Sequence, residues 1–100
     1  MNMLKRASEE RIFDFDKKAV GFWMVVEDIG PVRPVRIFVT HEALSGIDPR
    51  EVRDVDGSLS IFDKNRDRIE QAANTKFDDG KIEDWPHEGQ PVIVLRDSDF

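Results

Sequence analysis

Residues 58–78 carry the pattern that most constrains the fold of this chain. Apolar side chains recur there at spacings of three and four residues, so they fall on one face of a helix. Ser58 or Asp56 can cap the start of this helix, and Gly80 stands where it would stop. We therefore predict one long amphipathic helix, large enough to cover one face of a small sheet. Its apolar face consists of Leu59, Phe62, Arg66, Ile69, Ala73 and Phe77.

The segments ahead of this helix alternate between apolar and polar residues, which is typical of β-strands. The most apolar is 19–27, whose even positions make the better inward-facing set because Gly21 and Glu27 stand at odd positions. Short connections favour antiparallel pairing with its neighbours. The other strands are predicted around residues 12–15, 35–40 and 92–95.

Capping signals add two short helices. Thr40 can cap a helical turn at 41–44 that Gly46 ends, and Asp48 followed by proline predicts a second helix over 49–53. The predicted fold is therefore α+β, a two-layer sandwich. An antiparallel sheet of about four strands is covered on one face by the long helix and the short helices.

Length limits the chain to one core, since its 100 residues match a domain of about 100–150 residues. Residues 1–11 mix charged side chains around a single leucine, which buries too little surface to order them strongly. We predict a flexible N-terminal arm at 1–11 and a single α+β domain at 12–100.

Net charge and cysteine content limit the classes of partner and of chemistry that the chain can have. A formal net charge of −6 repels polyanions at long range, so nucleic acid is a disfavoured partner. The chain has no cysteine, which excludes disulfides, thiolate nucleophiles and cysteine-ligated metals. No stretch approaches the ~20 apolar residues of a membrane span, and no apolar run marks a signal peptide. We expect a cytoplasmic protein without membrane attachment.

A family resemblance rests on the first part of the predicted helix. Residues 58–73 read Ser-Leu-Ser-Ile-Phe-Asp-Lys-Asn-Arg-Asp-Arg-Ile-Glu-Gln-Ala-Ala, and this stretch resembles the signature of a family of small bacterial proteins known as domain of unknown function 1488. The order of Phe22-Trp23, Glu42-Ala43-Leu44, Val92-Ile93-Val94-Leu95 and Asp99-Phe100 is similar as well, so the resemblance covers residues 12–100. It implies an α+β fold and a bacterial cytoplasmic protein, and it implies no reaction.

No motif predicts a catalytic, metal or cofactor site. His41-Glu42 lacks the second histidine that a zinc-protease helix needs four residues after the first, and His87-Glu88 lies in a loop rich in proline and glycine. The glycines are scattered and form no phosphate-binding loop. We predict no catalytic residue, no metal and no cofactor.

Four residues are predicted to form an interaction face. Trp23 and Val25 take the outward parity of the central strand, and Arg36 and Phe38 take it on the next strand. The sheet face away from the helix would then show aromatic surface flanked by charge, as contact sites do. The alternative is that the short helices or the loop bearing Trp85 cover this face.

Arg66 lies on the apolar stripe of the predicted helix. The preferred interpretation is a side chain that packs its stem and pairs with Asp63 or Glu70. The alternative is an anion contact at the sheet edge.

These observations leave the function unknown and three hypotheses open. The first is a non-enzymatic binding or regulatory module that acts through contacts with an unknown partner protein or with a second copy as a homodimer. The alternative is a nucleic-acid-binding transcriptional regulator that uses the same arginine and aromatic residues as a stacking platform. The third is a small enzyme in which His41 or His87 stands beside carboxylates in a pocket.

Overall fold

The computed structural model describes residues 4–27, 30–50 and 53–100. Within these ranges the chain forms a sheet of five strands and three α-helices, which confirms the α+β class. The strands are β1 (Leu4–Arg6), β2 (Ile12–Asp14), β3 (Ala19–Val26), β4 (Arg33–Thr40) and β5 (Val92–Leu95). The helices are α1 (His41–Ile47), α2 (Val55–Lys64) and α3 (Arg66–Asp78), and a 3-10 turn at Asp97–Asp99 follows β5.

The sheet is mixed, so the prediction of an antiparallel sheet of about four strands is wrong in this detail. β3 and β4 form its central antiparallel pair, and both β1 and β2 pair antiparallel with β3 along different halves of that strand. β5 pairs with β4 in parallel. The reason lies in the connection from β4 to β5, because its three helices carry the chain back to the end of the sheet where β4 begins.

One face of the sheet packs against the helices and forms the main core. The even positions of β3, Phe22 and Met24 among them, point into this core, as the sequence predicts. The Phe22 ring packs against Phe62 of α2, with 4.9 Å between the ring centroids. From α3, Ile69 and Ala73 complete the contact, so the predicted apolar helical face is confirmed.

The prediction of a single long helix is wrong, because the helix is interrupted at Asn65. The side-chain Nδ2 of Asn65 donates to the Ile61 carbonyl at 2.9 Å, where the backbone N–H of Asn65 also bonds. A side chain that shares a carbonyl with the helical ladder competes with regular helix. The residue adopts φ −120° and ψ 19°, and α3 starts immediately after it.

The helix ends follow recognisable capping chemistry. α2 begins earlier than predicted, because Asp54 accepts from the Gly57 N–H at 2.7 Å and caps it in place of Asp56 or Ser58. Gly80 does stop α3: it has φ +71°, and its N–H donates to Phe77 while the next N–H donates to the Lys76 carbonyl.

The short helices agree with the prediction in part. Thr40 caps α1 by accepting from the Ala43 N–H, and α1 continues through Gly46 to Ile47. Of the helix predicted over 49–53, residues 51–52 lie outside the described residues, and 49–50 form a turn.

The N-terminal segment, predicted as an arm, contains the strand β1. Leu4 is 2% exposed and belongs to the core. The amide of Asn74 on α3 binds its backbone twice, accepting from the Leu4 N–H at 2.9 Å and donating to the Leu4 carbonyl at 3.1 Å. The prediction counted apolar surface alone, whereas a buried polar side chain completes the hydrogen bonds of this edge.

Candidate functional site

The side of the sheet that faces away from the helices, called here the outer face, carries the four residues of the predicted interaction face. Trp23 and Val25 lie on β3, Arg36 and Phe38 lie on β4, and Trp23 stands directly opposite Arg36. Their predicted parity is confirmed, since the alternate residues of both strands fill the main core.

The chain itself covers part of the outer face. Phe38 is 1% exposed, because the rings of Trp85 and His87 lie 6.2 and 5.5 Å from its own between centroids. At Phe38 the structure shows the alternative that the sequence left open, a cover by the loop bearing Trp85, and not an open aromatic surface. Trp23 and Val25 remain partly exposed.

Arg36 is buried against two aromatic rings. It is 8% exposed, and its guanidinium carbon lies 5.0 Å from the centroid of the Trp23 ring and 5.2 Å from that of Phe38. Its Nε is buried without a hydrogen-bond partner. In the described part of the chain, no carboxylate forms an ion pair with this guanidinium.

The electrostatics of Arg36 follow from this placement. Burial lowers the pKa of Arg36, and the negative charges of Glu88 and Asp14 offset that effect only in part. An arginine remains protonated at neutral pH even so. The outer face thus holds a positive charge in largely aromatic surroundings without a bonded counter-charge, an arrangement that costs free energy unless an anion joins it.

Gly21 makes room for the Arg36 side chain. A Cβ atom built on Gly21 would lie 2.7 Å from Nη2 of Arg36 and 2.9 Å from Cε1 of Phe38. Both distances are far shorter than a favourable contact of about 3.5–4.0 Å between carbon atoms. A glycine inside a strand marks a close approach of other groups, so Gly21 is the sequence signal that points to this site.

A cleft of about 240 Å³, called here the Arg36 cleft, opens beside the guanidinium. Ile12, which is 60% exposed, and Trp23 give the cleft an apolar wall. Arg11 also lines it, but its Nε and Nη2 donate to Asp63 at 2.9 and 2.8 Å. Of the two arginines, Arg36 is therefore the one without an acid partner. The lining residues are Glu10, Arg11, Ile12, Gly21, Trp23 and Arg36.

Arg66, the candidate anion contact, is equally buried but is bonded within the chain. It is 6% exposed, and its Nε donates to Glu70 at 3.2 Å. Its Nη1 donates to the Glu9 carbonyl at 3.1 Å and its Nη2 to the Ser8 carbonyl at 2.7 Å. The preferred pairing with Glu70 is therefore present, and the side chain holds the segment after β1 against α3.

Glu70 is the acid that joins this network. It accepts from Arg6 at 2.7 and 2.9 Å as well as from Arg66. Burial by itself would raise the pKa of Glu70, but the hydrogen bonds from Arg6 and Arg66 hold it below its ordinary value of 4.5. These contacts stabilise the fold, and the Glu70 carboxylate neutralises charge on the Arg6 and Arg66 guanidinium groups that a ligand would otherwise meet.

The histidines of the enzyme hypothesis occupy separate settings. His41 begins α1, and its backbone N–H donates to the Lys18 carbonyl at 2.8 Å. The His87 ring lies on the outer face, 6.0 Å from the Trp23 ring between centroids. Over residues 4–27, 30–50 and 53–100, no three histidine, aspartate or glutamate side chains converge to hold a metal ion. No helix in those ranges is long and apolar enough to cross a bilayer.

Comparison with known proteins identifies a family. A family model described as "Protein of unknown function (DUF1488)" matches residues 8–86, a range that runs from β2 through α3 and includes Trp23 and Arg36. It ends before β5, so the C-terminal residues that share in the resemblance lie beyond it. No curated protein and no solved structure matches the chain. Because the family model covers well over half of its residues, this chain belongs to the DUF1488 family of proteins of unknown function.

Proposed function

We propose that this chain is a non-enzymatic binding module that holds a partner protein against the outer face of its sheet. One observation carries the proposal: the Arg36 guanidinium is buried there without an acid partner and borders a cleft with a partly exposed apolar wall. An acidic group of a partner would supply the counter-charge that the chain itself does not provide.

The apolar surroundings of the cleft support a protein as the partner. In the lining of the cleft, Ile12 is 60% exposed and Trp23 is partly exposed. Tryptophan and arginine are the residues that most often carry binding energy at protein interfaces. An aromatic and apolar rim around one buried charge therefore resembles an interface more than a solvated surface.

Charge favours a partner of different sequence over a second copy, because each copy carries a net charge of −6. A nucleic-acid regulator has less support on the outer face. A stacking platform needs a groove of free cations along the nucleic-acid backbone. On this face the Lys17 ammonium lies over the rings of Phe38 and Trp85, and the Arg96 guanidinium forms an ion pair with Glu83. The proposal includes a bacterial cytoplasmic location, which the family resemblance supports.

Site-specific photo-crosslinking in cells tests the proposal. A benzophenone amino acid replaces either Ile12, at the rim of the cleft, or Gln71, which is exposed on α3 and serves as the matched control. We expect one protein adduct from position 12, no such adduct from position 71, and loss of the adduct when Arg36→Gln is added. Urea denaturation of each variant confirms that it is folded.

The identity of the adduct separates the hypotheses. An adduct with a second copy, together with a doubled mass in solution, would replace the proposed partner by self-association. An adduct with RNA or DNA would favour the regulator hypothesis. Equal adducts from both positions, or an adduct that survives Arg36→Gln, would contradict the proposal.

A further inference from the structure

Two arginines are buried to the same degree but differ in what they bind. Arg66 is 6% exposed and has acceptors for Nε, Nη1 and Nη2 within the chain. Arg36 is 8% exposed, and its Nε has no partner. Buried charges in proteins are normally paired and hydrogen-bonded because desolvation is costly. The unpaired state of Arg36 therefore points to an acceptor that comes from outside the chain.

The geometry around Arg36 fixes where this acceptor enters. The Phe38 and Trp23 rings both pack against the guanidinium, and a Cβ atom on Gly21 would lie 2.7 Å from its Nη2. The Arg36 cleft opens beside these contacts, with Ile12 in its lining. At about 240 Å³ the cleft is smaller than the ~300–1,000 Å³ of sites for whole drug-sized ligands, so it fits one small group.

The chemistry of the cleft selects a carboxylate among small anions. Arg36 offers a single positive charge, because Arg11 is already bound to Asp63. Glu10 adds negative charge to the lining, which disfavours a doubly charged phosphate. A planar guanidinium matches a planar carboxylate through two parallel hydrogen bonds. The apolar wall suits the methylene stem of such a group.

We propose that the Arg36 cleft binds one carboxylate, carried by an aspartate or glutamate side chain of the partner protein. The source of the carboxylate rests on the proposed function, whereas the carboxylate site rests on Arg36 and its surroundings alone. The closing experiment measures the two separately.

NMR titration of the ¹⁵N-labelled full chain tests the site. The Nε–H signal of Arg36 is assigned by its absence in Arg36→Lys, and the probes are propionate and its neutral isostere propionamide. We expect a saturable shift of this signal, and of the Trp23 indole N–H, with propionate and none with propionamide. Arg36→Gln should weaken propionate binding about ten-fold or more, whereas Arg33→Gln, exposed on the same strand, should leave it unchanged.

A second arm tests the source with the peptides acetyl-Ala-Glu-Ala-amide and acetyl-Ala-Gln-Ala-amide. We expect the glutamate peptide to bind more tightly than propionate, and the glutamine peptide not to shift the signal. Propionate binding without tighter peptide binding would keep the carboxylate site and assign it to a free organic acid, against a protein partner. Three results would overturn the carboxylate site: equal shifts from propionate and propionamide, no shift from either, or tighter binding of inorganic phosphate. In each case the crosslinking experiment would still decide the proposed function.

Discussion

Replacing Arg36 by methionine should stabilise the protein, whereas the same replacement of Arg66 should destabilise it. Both side chains are less than a tenth exposed, so burial alone predicts similar effects. The difference lies in their bonds: the Arg66 guanidinium has three acceptors within the chain, and Arg36 has an orphaned Nε. The pair therefore isolates the effect of hydrogen bonding from that of burial.

The expected magnitudes follow from these contacts. Replacing a buried ion pair by apolar groups of similar volume is often neutral or stabilising by about 1–4 kcal/mol, and Arg36 has no hydrogen bond at Nε to lose. The contacts of Arg36 with the Trp23 and Phe38 rings, worth about 0.5–1 kcal/mol each at the low end, reduce this gain. We expect Arg36→Met to raise the free energy of unfolding by about 1 kcal/mol. Arg66→Met should lower it by about 3 kcal/mol, the low end of the range for breaking a buried pair, because Glu70 keeps its bonds to Arg6.

Urea denaturation followed by far-UV circular dichroism measures both changes without relying on tryptophan fluorescence, which a change beside Trp23 would disturb. With a slope of about 1–3 kcal/mol per molar urea, a gain of 1 kcal/mol moves the midpoint up by about 0.3–1 M. Lys5→Met, exposed on β1, serves as control and should stay within about 0.5 kcal/mol of the parent.

A clear result would refute this reasoning. If Arg36→Met lowered the free energy of unfolding by more than 1 kcal/mol, the guanidinium would be making stabilising bonds in the free protein, and the cleft would have no need of an anion. If the variant is more stable and no longer binds propionate, stability and binding oppose one another at this position, as is common for functional sites.

Three further predictions concern the network and the cleft. Glu70→Gln should lower the free energy of unfolding by about 1–2 kcal/mol at neutral pH. Because the folded pKa of Glu70 lies below 4.5, the stabilisation from its charge is present above that pH and is lost as the pH falls further. The parent should therefore lose more stability than the variant in an acid titration followed by circular dichroism, and parallel titrations would contradict this. Asn74→Ala should cost about 1–3 kcal/mol and speed hydrogen exchange at the Leu4 amide, and unchanged exchange there would contradict the role of Asn74 in holding β1. Gly21→Ala should cost about 1–3 kcal/mol by overpacking and abolish the propionate shift at Arg36, whereas retained binding would show that the guanidinium can move aside.

Periodic features of the fold were predictable from the sequence, and features set by single side chains were not. The apolar face of residues 58–78 is correct because spacings of three and four survive the break between α2 and α3. The break comes from the amide of Asn65 binding one carbonyl, and a single polar residue leaves no trace in a periodic pattern. The apolar run at residues 92–95 predicts a strand, but it does not indicate whether that strand pairs in parallel or antiparallel.

The candidate site shows the same limit. The parity of Trp23 and Arg36 follows from alternation along β3 and β4, and it is correct. Which arginine keeps a free guanidinium depends on contacts across the chain: Arg66 finds the carbonyls of residues 8 and 9, more than fifty positions away. The cover over Phe38 likewise comes from a loop without periodicity.

The parallel pairing of β5 with β4 has a consequence for biosynthesis. The β3–β4 hairpin pairs residues close in sequence, so it can form as soon as it leaves the ribosome. The pairing of β4 with β5 can form only after the three helices between them have been synthesised and packed. During that interval the edge of β4 that later pairs with β5, at Arg36, Ile37, Phe38 and Val39, is unpaired, and such an edge is a template for pairing between nascent chains. A chain that ends before Val92 should therefore accumulate in inclusion bodies, even though it retains all three α-helices and the hairpin.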